Sequence, residues 1–139
     1  MPEVLVDANV LLRHLTGAPP ALARRAGEIM HAAEQGQFSL VVTPLTLAEC
    51  VWVLETSYRK PREAIADALL ILLQAPGIVA REQDAVVAAL SFYRNTPHLD
   101  FADAYLAGVA TRVGPARIAS FDERLRLIPG ISMISRLGN

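Results

Sequence analysis

The chain holds one cysteine, one lysine and no long unbroken apolar run. A lone Cys50 excludes an intrachain disulfide and fits a reducing compartment. The most apolar stretch, residues 64–79, is interrupted by Asp67, Gln74 and Pro76, so no bilayer-spanning helix is expected. No basic segment followed by a long apolar one opens the chain, so no signal peptide is expected and the cytoplasm is the expected location. Neither a G-x-x-x-x-G-K phosphate loop nor a G-x-G-x-x-G fingerprint is present. His14, His31 and His98 are not spaced as a metal set, and His31 reads as a solvent-facing helical residue. A formal net charge of −1 removes whole-molecule electrostatics as a guide to partners.

What remains is apolar and acidic in informative places. The 139 residues suit one domain, 1–139, with a core that needs no staples. The apolar fraction of 53 % is high for a small monomer. Part of that surface is expected to be covered by a partner, with 45–54 and 64–73 as the apolar helices offered. Twelve of the thirteen basic residues are arginine, whose planar fork matches phosphate and carboxylate.

Strand-like and helix-like segments alternate. Short strands are expected at 4–6, 38–42, 78–80, 117–120 and 131–134, the first of the fully buried kind. A helical turn is expected over 9–14, stopped by Gly17 and Pro19-Pro20. Helices follow at 21–35, 43–59, 61–75, 82–94 and 100–113, with a short one at 122–127. Thr43-Pro44 is a strong start, an N-cap followed by proline at the first helical position. Gly36, Pro61 and Gly114-Pro115 are stops. The alternation predicts an α/β/α sandwich around a short, mostly parallel five-stranded sheet.

Four of the six aspartates, and one glutamate, fall at strand ends or nearby helix starts. Asp7 closes Val4-Leu5-Val6. Glu49 lies less than two turns into its helix, at about 1.5 Å per residue. Val42, Leu45, Ala48 and Trp52 suggest the buried face there, with Glu49 at its edge. Asp100 and Asp103 are spaced i,i+3 on one helical face. Asp122 follows Ile118-Ala119-Ser120. Each acid has an ordinary use as a cap or first-turn residue, and Asp100 above all. Ligands of parallel sheets bind outside the carboxyl ends of strands, so the shared address makes them a candidate site. An all-oxygen ligand set suits hard cations such as Mg²⁺ or Mn²⁺.

In Val6-Asp7-Ala8-Asn9-Val10-Leu11-Leu12, Thr43-Pro44 through Glu49, Asp100-Phe101-Ala102-Asp103-Ala104 and Ser120-Phe121-Asp122, the chain resembles a PIN domain. Within that group it is similar to a VapC-type toxin ribonuclease of bacterial or archaeal toxin–antitoxin pairs. The resemblance spans nearly the whole chain in the expected order. It implies a Mg²⁺- or Mn²⁺-dependent endoribonuclease, a cognate antitoxin and a homodimer. Asp7, Glu49, Asp103 and Asp122 take the core acidic positions, and Asp100 the more variable one. Ser120 matches the hydroxyl residue two places before the last acid.

Asn9 and Ser120 are candidates for positioning substrate, and Arg13 and Arg124 for contacting RNA phosphates. Cys50 beside Glu49 reads as a small buried hydrophobe rather than a nucleophile. Two other readings are a PIN-like module that binds RNA or protein without cutting, and a haloacid-dehalogenase-like phosphatase. The latter resembles Asp-x-Asp after its first strand and uses a lysine near the site. Here Asp7-Ala8-Asn9 and the distant Lys60 depart from it.

Overall fold

The fold of residues 2–137 is described from a computed structural model. It contains the expected alternation: β1 (Glu3–Leu5), α1 (Ala8–Thr16), α2 (Pro20–Glu34), β2 (Ser39–Val42), α3 (Pro44–Thr56) and α4 (Arg62–Leu73). Then come β3 (Ile78–Ala80), α5 (Gln83–Asn95), α6 (Phe101–Arg112), β4 (Arg117–Ala119), a 3₁₀ turn (Glu123–Leu127) and β5 (Ser132–Ile134). The chain forms two compact units, the first ending at Glu82 and the second beginning at Gln83.

In the first unit β1, β2 and β3 form one parallel ladder in that order, with Val4 opposite Leu40 and Leu40 opposite Ile78. Parallel neighbours cannot be joined by a hairpin, so each connection carries a helix pair. The middle strand is the buried one: Leu40, Val41 and Val42 are all essentially inaccessible. The expectation of a fully buried first strand is corrected here. Val4 and Leu5 are 42 % and 72 % exposed, and only the following Val6 is buried. Among the described residues β1 is an edge of its ladder, paired with β2 alone.

Local signals set the ends of these elements. Thr43 Oγ1 accepts the Thr46 backbone N–H at 3.2 Å, an N-cap with Pro44 behind it. The helix stops earlier than expected. Arg59 adopts a left-handed φ of 51°, and the Lys60 N–H turns back to the Leu54 carbonyl at 3.0 Å. Gly77 leads into β3 at φ 84°, where an added Cβ would lie 2.4 Å from the Ala33 carbonyl oxygen. Only glycine fits that approach.

The buried face of α3 also differs from the expected one. Leu47, Cys50, Val51 and Leu54 face the core, while Leu45 and Trp52 are 81 % and 64 % exposed. In α4, Ile65, Ala66, Leu69, Leu72 and Leu73 are core, and Ile71 points out. The surplus of apolar residues is thus partly core and partly surface.

In the second unit α5 and α6 pack along each other, and β4 pairs with β5 in parallel. The five expected strands are therefore present as a three-stranded and a two-stranded ladder. Small residues bring α5 and α6 close. Ala85, Ala88 and Ala89 are buried on α5, and Ala104, Ala107 and Gly108 on α6. Tyr93 and Phe101 meet edge to face, with centroids 6.1 Å apart, and fix the start of α6 against the end of α5.

Candidate functional site

The first unit supplies Asp7 and Glu49. Asp7 follows Val6, whose N–H continues the ladder to the Val41 carbonyl at 3.1 Å. This places Asp7 at the carboxyl end of β1 and at the N-cap of α1. Its carbonyl accepts the Val10 N–H at 3.1 Å, yet its side chain makes no capping hydrogen bond. The ordinary use of an aspartate here is thus not taken up, and the carboxylate is exposed. Glu49 is also exposed, on the α3 face that carries Leu45 and Trp52.

Cys50 reports on both acids. Burial pushes its thiol up, the Glu49 charge adds to this, and the Asp7 charge adds again, to about 12. A thiol held protonated is no nucleophile at neutral pH. The shift also fixes a pH dependence. A folded-state value above the ordinary one means the folded protein holds a proton that the unfolded chain releases. Its contribution to stability is intact below pH 9 and is lost as pH rises from about 9 to about 12. Iodoacetamide at pH 8 is expected to leave Cys50 unmodified in the native protein and to alkylate it in urea, measured by mass spectrometry. Rapid native modification contradicts the placement.

Asn9 and Arg13 line a cleft of about 220 Å³ between α1 and α2, together with Val10, Leu22, Arg25 and Ile29. Two arginines and an amide in one cleft suit a phosphate or a sugar hydroxyl. Arg25 had no signal in the sequence, because only the packing of α2 on α1 brings it beside Arg13. Arg13 also reaches the Ala18 carbonyl at 3.4 Å.

The second unit supplies Asp100, Asp103 and Asp122. Asp100 caps α6, its Oδ1 accepting the Asp103 N–H at 2.9 Å. Asp122 caps the 3₁₀ turn by accepting the Arg124 N–H at 3.0 Å, and Ser120 Oγ accepts the Asp122 N–H at 3.0 Å. Asp103 shares a side-chain hydrogen bond with Asp122. Its carboxyl is raised by burial first, then by the Asp100 charge and the bond to Asp122.

Arg124 supplies the positive charge that three clustered carboxylates require. Its Nε donates to Asp122 Oδ1 at 2.9 Å and its Nη2 to Oδ2 at 2.9 Å, a bidentate pair. Its Nη1 donates to the His98 carbonyl at 2.5 Å. His98 holds a left-handed φ of 65° in the loop that presents this carbonyl. The guanidinium bonds lower Asp122 to about 2. Residues two apart do not face each other on a helix, so helical spacing gives no sign of this pair.

The donors are all carboxylate oxygens, the chemistry that suits a hard divalent cation. Among the described residues, no three acidic, histidine or cysteine side chains are placed so that together they could hold a metal ion. Asp122 has both oxygens on Arg124, so part of its acceptor capacity is already taken. No helix of the described residues is long and apolar enough to cross a membrane.

Comparison with known families matches the PIN domain over residues 4–131. PIN domains are generally a nuclease fold, and their nucleases generally use divalent metals such as Mg²⁺. Neither curated proteins nor solved structures gave a match.

Proposed function

The chain belongs to the PIN-domain family, and we propose that it is a Mg²⁺- or Mn²⁺-dependent endoribonuclease, the VapC-type toxin of a toxin–antitoxin pair. The observation that carries this reading is Asp7. It occupies a cap position without capping, at the carboxyl end of a parallel strand. In the proposal Asp7, Glu49, Asp103 and Asp122 are the catalytic acids and metal ligands, and Asp100 assists from its cap.

When bound, a divalent ion lowers the pKa of a water and neutralises charge on the phosphodiester and its leaving oxygen. The chain's own residues do the rest. Asp7 and Glu49 offer uncommitted carboxylates. Asp103 shares a hydrogen bond with Asp122 and so holds the two carboxyl groups side by side. Ser120 orients Asp122 through its backbone N–H. Asn9 and Arg13 hold the RNA strand in their cleft. Arg124, held beside Asp122 by its fork, would place a positive charge next to a bound phosphate.

The partners follow from the surface of α3. Leu45, Glu49 and Trp52 recur at helical spacing on one exposed face. An antitoxin seated on the two apolar residues would lie over Glu49, which joins binding to inhibition. Ile71 on α4 suits a homodimer contact. Light scattering is expected to give a dimer, with a monomer overturning that assignment. Action on cellular RNA suits a cytoplasmic protein.

Incubation of the purified protein with total cellular RNA tests the proposal. Discrete internal cuts are expected, without 2′,3′-cyclic phosphate ends, because water rather than the 2′-hydroxyl attacks. A second reading, a silent module that binds RNA or protein, draws on the hold of Arg124 over Asp122. Binding without any cleavage would select it.

A further inference from the structure

Phe121 is the most exposed large apolar side chain among the described residues, at 90 %. Its neighbours Ile118 and Leu125 are buried, so the chain had core positions within reach and left this ring in water. Leu137, 88 % exposed, lies in the same lining, so the ring is part of an apolar patch rather than a lone exposed residue. It stands between Ser120 and Asp122, the hydroxyl and the acid that bond to each other through the Asp122 N–H. With Ser120, Ile134, Ser135, Arg136 and Leu137 it lines an open concavity of about 470 Å³ at the ends of β4 and β5.

We propose that this concavity is a base-stacking subsite, in which Phe121 carries the nucleobase that flanks the scissile phosphate of a single-stranded RNA. The proposal rests on the nuclease reading and extends it to the form of the substrate. Three features favour a nucleobase. Stacking needs a flat, accessible π-face, and every base offers one, so a single ring serves many sequences. Arg136 adds positive charge to the same lining, as a strand with a phosphate on each side of the base requires. Phe121 and Asp122 are consecutive in the chain, so a strand held at the ring runs within about one nucleotide of that acid. Paired bases are stacked in their duplex and cannot use the ring, so the subsite selects unpaired loops and ends.

Stacking on one aromatic ring contributes about ten-fold in affinity. Phe121→Ala and Phe121→Leu are expected to raise KM for a single-stranded oligoribonucleotide about ten-fold, with kcat nearly unchanged. Phe121→Tyr is expected to behave as the parent. The 90 % exposure makes all three compatible with folding. A direct reading comes from the same oligoribonucleotide carrying 2-aminopurine at successive positions, bound in EDTA. The intact protein is expected to quench the fluorescence at one position. The Phe121→Tyr protein is expected to preserve that quenching, and the Phe121→Ala and Phe121→Leu proteins to lose it. A parent that cleaves RNA, with KM and quenching unchanged in Phe121→Ala, overturns the subsite and leaves the nuclease reading standing. Unchanged RNA affinity with altered self-association in Phe121→Ala overturns it in favour of a protein contact. A parent that neither cuts nor binds RNA removes the nuclease reading and the subsite together.

Discussion

Asp7→Asn is expected to lower RNA cleavage by at least about 100-fold, the scale for loss of one electrostatic group that acts on the reacting centre. The substitution keeps size and shape and removes the negative charge. A neutral amide is a poor ligand for a hard cation beside carboxylates. The same change is expected to leave stability almost untouched. Losing an N-cap typically costs about 1 kcal/mol, but the Asp7 side chain accepts no capping bond. The Asp7 charge raises the Cys50 thiol, so removing it takes away an unfavourable influence on the thiolate and no favourable partner. The test is a pair of measurements on one preparation, cleavage rate and thermal unfolding. Lost cleavage with an unchanged Tm supports the assignment. Unchanged cleavage by the folded variant removes Asp7 from the catalytic set.

Gly108→Ala is expected to be the most damaging single methyl in the second unit. A Cβ there would lie 2.3 Å from the Ala85 carbonyl oxygen and 3.0 Å from the Ala89 nitrogen. Both are backbone atoms of a helix, so neither can step aside without moving α5. Overpacking of this kind costs about 3 kcal/mol at its upper end. Alanine returns about 1 kcal/mol of helix propensity, leaving a net loss of about 2 kcal/mol. Gly27 on α2 is the control, since an added Cβ meets nothing within 4 Å. There the same substitution is expected to stabilise by about 0.5–1 kcal/mol. Urea unfolding of the two variants reads the difference directly. A Gly108→Ala protein as stable as the parent contradicts the close approach of α5 and α6.

Much of the architecture was legible because proline and glycine punctuate it. Thr43-Pro44 begins α3 and Gly36 follows α2, as the sequence suggests. The short strands follow from apolar, valine-rich runs such as Leu40-Val41-Val42. The exposed face of α3 was not legible, because apolar residues surround that helix and no periodicity distinguishes Leu47 from Leu45. The exposure of Val4 and Leu5 was hidden for a related reason. An apolar run of three does not say whether its strand lies at the centre or the edge of a ladder.

The acids were legible as positions and not as states. Asp7, Asp100 and Asp122 look alike in sequence, each an aspartate before a helical segment. The structure separates them: Asp100 caps, Asp122 caps and also carries Arg124, and Asp7 does neither. That difference depends on side-chain direction, which a linear pattern does not encode. Phe121 was likewise visible only as part of a motif, and its accessibility needed the turn that follows β4.

The most direct test of the account is cleavage of single-stranded RNA with and without divalent metal. The account predicts no cutting in EDTA, with activity restored by Mg²⁺ or Mn²⁺ added in excess. Undiminished cleavage in EDTA, by protein shown free of contaminating nuclease through an inactive Asp103→Asn preparation, would contradict it.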